Sequence, residues 1–270
     1  MPSVARLRVY PVKSLDPVDV DTVQVNAGAL RHDREYAIVD GDREFVTGKR
    51  EPALHRVRSR YDPGRRELSV REHDADAWTT FSMDAERGRL NAWLSEFLGY
   101  PVSVVRDAAG GMPDDTDASG PTVIARETVE RVADWYDGVD ADEVLRRLRP
   151  NVVVDAGEPF WEDRLYADRE SVRAFSIGDV EFHGVGPCQR CVVPTREPDT
   201  GEETPGFRER FIERRAATLP DWANRDRFDH HYRVMVNTRI PESSWGSELA
   251  VGDRVELGEV EVLAGQGPDR

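Results

Sequence analysis

Cysteine, lysine and long apolar runs are all scarce in this chain, and each shortage excludes a class of protein. Its 270 residues hold two cysteines, Cys188 and Cys191. Two thiols cannot supply a disulfide framework, nor the four thiolates of an iron-sulfur cluster within one chain. Any iron-sulfur electron source must therefore be a separate protein. No run of about 18 apolar residues occurs, so no segment reads as a membrane span. The opening Met1-Pro2-Ser3-Val4-Ala5-Arg6 lacks the apolar stretch of a signal peptide. A cytoplasmic protein is expected.

Lysine is limited to Lys13 and Lys49, every other base being arginine, while 52 acids against 37 bases give a formal charge of −15. That imbalance opposes nonspecific nucleic-acid binding. The acid-rich, lysine-poor composition resembles that of halophilic proteins, whose salt-loaded cytoplasm screens repulsion among carboxylates. An acidic mesophilic protein is the alternative. At 39% apolar residues the chain can still build a core, and its length suits one large or two modest domains.

What is present reads as α+β, mainly β. Strands are expected at residues 4–10, across Val18 to Val25, at 35–39, at Glu44 to Thr47 after the Asp40-Gly41 hairpin signal, at 55–61 and at 67–71. Leu90, Trp93, Leu94, Phe97 and Leu98 recur at helical spacing, which predicts a helix over 85–98 ending at Gly99-Tyr100-Pro101. Residues 102–105 read as a strand, and residues 108–117 are too polar and glycine-rich to pack, so a domain boundary is placed there. Beyond it come a strand at 121–124, a helix capped by Thr128, a helix over 140–148 and a strand at 152–154. Strands over 172–185 lead into the cysteines, and a charged helix is expected over 207–217. Tail strands are expected at 232–237, 254–257 and 260–263, the last two separated by a turn at Gly258-Glu259.

The cysteines lie in Gly186-Pro187-Cys188-Gln189-Arg190-Cys191, read as a turn in which an arginine beside Cys191 favours its thiolate. Four fates are open: heavy-metal ligand, zinc half-site completed by His183, His230 or His231, redox dithiol, and inert buried pair. A redox dithiol wants a following helix, and Val192-Val193-Pro194 is poor helix sequence. The adjacent His230-His231 reads better as a strand pair with one ring inward and one outward.

Six short motifs recur in the order seen in MOSC proteins: Pro11-Val12-Lys13-Ser14, Asp33-Arg34, Phe45-Val46-Thr47-Gly48-Lys49-Arg50-Glu51-Pro52, Arg149-Pro150-Asn151, Cys188-Gln189-Arg190-Cys191 and Pro198-Asp199-Thr200-Gly201. The chain resembles in particular the group containing the mitochondrial amidoxime reducing component and its bacterial relatives. The resemblance implies a MOSC-associated N-terminal β-rich domain over 1–115 and a MOSC β-barrel with peripheral helices over 116–266, with the molybdenum cofactor, Mo-molybdopterin, between them. It puts the molybdenum-ligating cysteine at Cys191 and makes Cys188 a neighbour. It matches Lys13, Ser14, Arg34, Arg149 and Asn151 to positions that hold the pterin and its phosphate, with Ser119, Gly120, Gln189 and Arg190 as weaker correspondences. A further family cysteine is replaced near Gly157.

The residue types suit that chemistry. A soft thiolate complements the cofactor's dithiolene sulfurs, while arginine forks and a lysine point charge suit an anionic, hydrogen-bonding cofactor. Asp199-Thr200-Gly201 is a turn by composition and is expected to position its loop. The implied activity is reduction of N-hydroxylated small molecules with electrons from a ferredoxin-like or flavoprotein donor, without nucleic acid or membrane. A sulfurtransferase carrying a persulfide on Cys191 and a cofactor carrier are the alternatives.

Overall fold

Alternating apolar residues at the start do form strands, and the first of them joins a sheet built mostly from the second half of the chain. In the computed structural model, which describes residues 1–262, the first half holds β1 (Ser3–Val9), β2 (Val18–Val20), β3 (Thr22–Asn26), β4 (Ala29–Leu30), β5 (Tyr36–Val39), β6 (Val57–Asp62), β7 (Glu67–Glu72), β8 (Thr79–Ser82), helix α1 (Arg87–Leu98) and β9 (Ser103–Arg106). The second half holds β10 (Val123–Ala125), α2 (Arg126–Ala133), α3 (Ala141–Leu148), β11 (Val152–Asp155), β12 (Ser171–Ile177), β13 (Val180–Gln189), α4 (Phe207–Ala217), β14 (Arg233–Arg239), β15 (Glu248–Ala250) and β16 (Val255–Val262). The fold is α+β and mainly β.

Eight strands form the main sheet in the order β16-β12-β13-β14-β10-β11-β1-β2, with β10 and β11 its parallel pair. Leu7 of β1 stands opposite Val152 of β11, and both are fully buried. The sheet curls, because Val4 N donates to Asp253 O at 2.8 Å and Val255 N donates to Pro2 O at 2.9 Å. Those bonds bring the start of β16 back against β1, removing exposed edge there. Strand β15 extends β3 and β4, again joining distant parts of the sequence. Of the remaining strands, β6-β7-β8 pair locally as a meander, and β5 pairs antiparallel with the distant β9.

Three apolar clusters follow. One fills the curled sheet with Leu7, Val152, Phe175, Phe182 and Val236. A second, wholly from residues 12–104, is covered by α1 through Leu90 and Leu94, one turn apart. Helix α1 stops where Gly99 takes a left-handed conformation and its N–H closes on Ser95 O at 2.9 Å. The third lies beneath α2, α3 and α4. Beside it, fully buried Arg215 pairs with Asp163 at 2.5 Å, and Thr128 Oγ1 donates to Glu162 Oε2 at 2.8 Å.

Several expectations are corrected. Ala125, not Thr128, precedes the first turn of α2; Thr128 lies inside the helix, where its hydroxyl also accepts from Phe160 N. The run Glu44 to Thr47 makes one bridge, Val39 to Phe45, and residues 52–56 form a 3₁₀ turn before β6. The tail is one strand instead of two: a register shift against β12 lets Gly258 pass close to Ala174, so pairing continues across the expected turn. Its expected last residue, Leu263, lies outside the described residues. The cysteine segment is not a turn, since β13 runs through Pro187 and Cys188 to Gln189, with register shifts flanking Gly186 and Pro187. After Cys191 comes a 3₁₀ turn, Val193–Thr195. The histidine pair sits on a bend before β14, not within the strand.

Candidate functional site

All ten expected site residues, Lys13, Ser14, Arg34, Ser119, Gly120, Arg149, Asn151, Gln189, Arg190 and Cys191, line one cleft of about 720 Å³, together with Cys188 and Lys49. The cleft lies where the β1 to β2 connection, the end of α3 and the end of β13 meet. Its floor is Tyr10, 1% exposed, whose hydroxyl donates to Pro150 O at 3.1 Å. Two guanidiniums rest on its ring, Arg149 at 4.2 Å and Arg34 at 5.3 Å from the centroid. An electron-rich ring attracts both of these like charges.

Each cation is aimed by the local backbone. Arg34 and Arg149 both have positive φ, and Arg149 is the left-handed residue that ends α3. Asp33 pairs with the Arg34 guanidinium and is itself fixed by Tyr10 N at 2.8 Å and Asn151 Nδ2 at 3.0 Å. Arg149 Nη2 donates to Leu15 O at 2.7 Å. Burial pushes the Arg149 guanidinium down; Tyr10 offsets this in part, and repulsion from Arg34 adds to it. An anion between the two arginines would relieve that repulsion. Lys13 is 5% exposed, with Nζ donating to Met112 O at 2.9 Å and paired to Asp114 at 2.7 Å.

The thiols differ in their surroundings. Cys191 is exposed, and its Sγ accepts from Val193 N at 3.4 Å in the 3₁₀ turn. Arg190 turns the other way: Nη1 donates to Cys188 Sγ at 3.2 Å and Nη2 to Leu148 O at 2.9 Å. The expectation that this arginine serves Cys191 is thus corrected, because burying its guanidinium along β13 points it at the strand residue. The Pro198-Asp199-Thr200-Gly201 loop is anchored as expected. Arg146 bonds both oxygens of Asp199, at 2.9 and 2.5 Å, and Arg58 joins it, so these hydrogen bonds hold that carboxyl down to about 2 against the upward push of burial.

Asn151 is engaged wholly with protein, its Nδ2 donating to Arg8 O and Asp33 Oδ1 and its Oδ1 accepting from Thr122 N. It aims Arg34 through Asp33. Ser14 Oγ accepts from Gly48 N at 3.1 Å, and Gly120 lies so close to Thr238 that a β-carbon would stand 2.6 Å from its carbonyl oxygen. Sequence reasoning missed Tyr10, Asp114, His55 and Arg146, all of which line the cleft. Tyr10 directly precedes the Pro11-Val12-Lys13-Ser14 motif, which was the available signal; Asp114 carries none.

Among the described residues no group of three or more His, Cys, Asp or Glu side chains is placed to hold a metal ion, so the cysteines and histidines do not build a zinc site there. Also among them, no helix is long and apolar enough to cross a membrane. Two nitrogens at the cleft, Arg190 Nε and His55 Nε2, are buried without a partner. Cations, an unpaired guanidinium N–H and an exposed thiol in one cleft fit an anionic ligand that also carries a soft metal.

The chain is 26% identical over 241 residues to a molybdenum cofactor sulfurase of Oryza sativa subsp. japonica, covering 72% of this chain and 28% of that protein. It is 26% identical over 288 residues to the corresponding sulfurase of Drosophila yakuba, covering 96% of this chain and 34% of that one. It is 26% identical over 236 residues to mitochondrial amidoxime reducing component 2 of Bos taurus, covering 74% and 68%. The chain thus spans about a third of the sulfurases it matches. Among solved structures, the YUAD protein of Bacillus subtilis aligns over 95% of this chain and 96% of its own, at 13% identity and a TM-score of 0.41. The MOSC N-terminal beta barrel domain matches residues 1–101 and the MOSC domain residues 121–256, and with Lys13, Arg34, Arg149 and Cys191 gathered at one cleft, the chain belongs to the MOSC family.

Proposed function

We propose that this protein is a molybdenum-cofactor oxidoreductase that reduces N-hydroxylated small molecules with electrons from a separate ferredoxin-like or flavin-containing donor. The observation that carries the reading is the shared cleft: an exposed Cys191 thiol and a cationic cradle of Lys13, Arg34 and Arg149 line the same 720 Å³. The cofactor, when bound, would supply two-electron chemistry that removes oxygen from the substrate. The chain's own part is binding and orientation. Cys191 Sγ is the thiolate ligand for the metal. Lys13, Arg34 and Arg149 hold the phosphate, with Asn151 and Asp33 fixing the angle of Arg34. Ser14, Ser119 and Gly120 would contact the pterin, and the backbone of Gln189 and Arg190 would flank the Cys191 sulfur. Having only two cysteines, the chain depends on a partner protein for electrons.

Native protein is expected to hold molybdenum in one-to-one ratio with the chain, measured by elemental analysis. Cys191→Ala should abolish reduction of a benzamidoxime-type substrate, whereas Cys188→Ala should keep the metal and most activity. Equal loss in both variants removes the ligand assignment, and metal without turnover by any donor supports a carrier instead.

The exposure of Cys191 favours one second reading, a persulfide-carrying sulfur transferase, since that thiol is open to a sulfur donor. Mass spectrometry of gently purified protein decides it: a cysteine heavier by one sulfur atom, with no pterin released, supports transfer.

A further inference from the structure

The loop between β9 and β10 crosses the cleft mouth as a strap, and one of its carboxylates stands where an incoming anion would bind. At one end Asp107 N donates to Glu35 O at 2.8 Å, and at the other Asn237 Nδ2 donates to Asp115 Oδ2 at 3.2 Å. Between them Met112 N donates to Arg34 O at 2.9 Å, and Met112 O accepts from Lys13 Nζ at 2.9 Å. A β-carbon at Gly111 would stand 2.4 Å from Asp33 O, so the strap lies directly on the turn that presents Arg34. Asp114 Oδ1 then meets Lys13 Nζ at 2.7 Å. The protein walls at the cleft mouth push this carboxyl up, but Lys13, Arg34 and Arg149 outweigh them and hold it below its ordinary value.

The partners in this ion pair are unequally committed. The Lys13 side chain is 6% exposed and that of Asp114 is 76% exposed. Asp114 can swing into water at little cost, whereas the buried ammonium cannot follow and would be left without a counter-charge. Exchange of one anion for another is therefore the favoured way to free the cleft. A phosphate ester or diphosphate brings several acceptor oxygens, enough to replace both Asp114 and the Met112 carbonyl.

We propose that Asp114 is a built-in counter-ion of the cleft: the strap and a phosphate-bearing ligand compete for Lys13, so the ligand releases the strap and the strap weakens the ligand. The inference rests on the proposed reading of the cleft as an anion site and adds to it a residue that opposes binding.

The test uses full-length wild type and Asp114→Asn, produced in a host that makes no molybdopterin, with inorganic pyrophosphate as probe. Calorimetry should show the variant binding pyrophosphate about tenfold more tightly, equivalent to about 1.4 kcal/mol. Hydrogen exchange over residues 107–117 should rise on adding pyrophosphate to wild type and stand high from the outset in Asp114→Asn. Equal or weaker binding by the variant, no binding by either protein, or protection of the strap by pyrophosphate would overturn the proposal. Molybdenum content of native protein is a separate measurement. A chain that carries the metal but shows no competition loses only the counter-ion; one that shows competition but never carries the metal loses the oxidoreductase reading alone.

Discussion

Tyr10 and Asn151 make no chemistry of their own, yet the orientation of the cleft's arginines depends on them. Tyr10 gives two guanidiniums one aromatic ring, and Asn151 holds the carboxylate that aims one of them. Asn151 is 1% exposed and satisfies Arg8 O, Asp33 Oδ1 and Thr122 N together. Asn151→Ala would strand buried polar groups, so a loss of about 1–3 kcal/mol is expected, read as a lower denaturation midpoint at unchanged slope. On the proposed cofactor reading, retained pterin should fall as well, because Arg34 loses its aim. Lys13 was legible in the sequence because lysine is rare and the residue sits in a recognisable motif. Asp114 was not: an acid in a polar loop of an acidic protein looks like any other, and only its approach to Lys13 distinguishes it.

Helix α3, eight residues long, does the work of several elements. Arg146 reaches Asp199, Arg147 donates to Pro194 O and Arg196 O, and Arg149 ends the helix facing the cleft. Its start is secured by Asp140, whose carboxylate accepts from Glu143 N at 2.8 Å. Asp140→Ala should cost about 1 kcal/mol, lowering the melting temperature, and should loosen both the Asp199 loop and the Arg149 side of the cleft. The helix itself was readable from its apolar spacing and acidic cap. The left-handed turn at Arg149 was not, because non-glycine residues rarely adopt it and the sequence shows no marker. Strand β13 shows the reverse case. Pro187 argues for a turn, but register shifts let the strand continue, and Gly184 lets Leu165 O pass where a β-carbon would sit 1.6 Å away. Close backbone approach, invisible to periodicity, overrode the local proline signal.

Across the whole molecule, the buried Glu162, Asp163 and Arg215 group makes stability depend on pH. Burial, reinforced by Asp163, pushes the Glu162 carboxyl up from 4.5 to about 8. A raised folded-state value means that its contribution is complete below about pH 4.5 and is lost as pH climbs toward 8, when the buried carboxyl must ionise. Glu162→Gln stays neutral, so its stability should decline less across that interval and exceed that of wild type at the alkaline end; denaturation curves at both ends check this. The opposite sign governs Asp199, whose carboxyl is held down to about 2, so its anchor weakens only as pH falls from 3.8 toward that value. The sequence by itself determined the mainly β class, the acidic character, most strand and helix positions, and the family motifs that name the cleft residues. The class, the charge and the element positions rest on local spacing and composition, and the motifs on resemblance to the MOSC family. Only the tertiary structure decided that β1 and β2 join the later sheet, that Arg190 faces Cys188, and that Asp114 lies on Lys13. Those are contacts between residues far apart in the chain or set by how a strand is buried, and no local pattern encodes which partner packing will deliver.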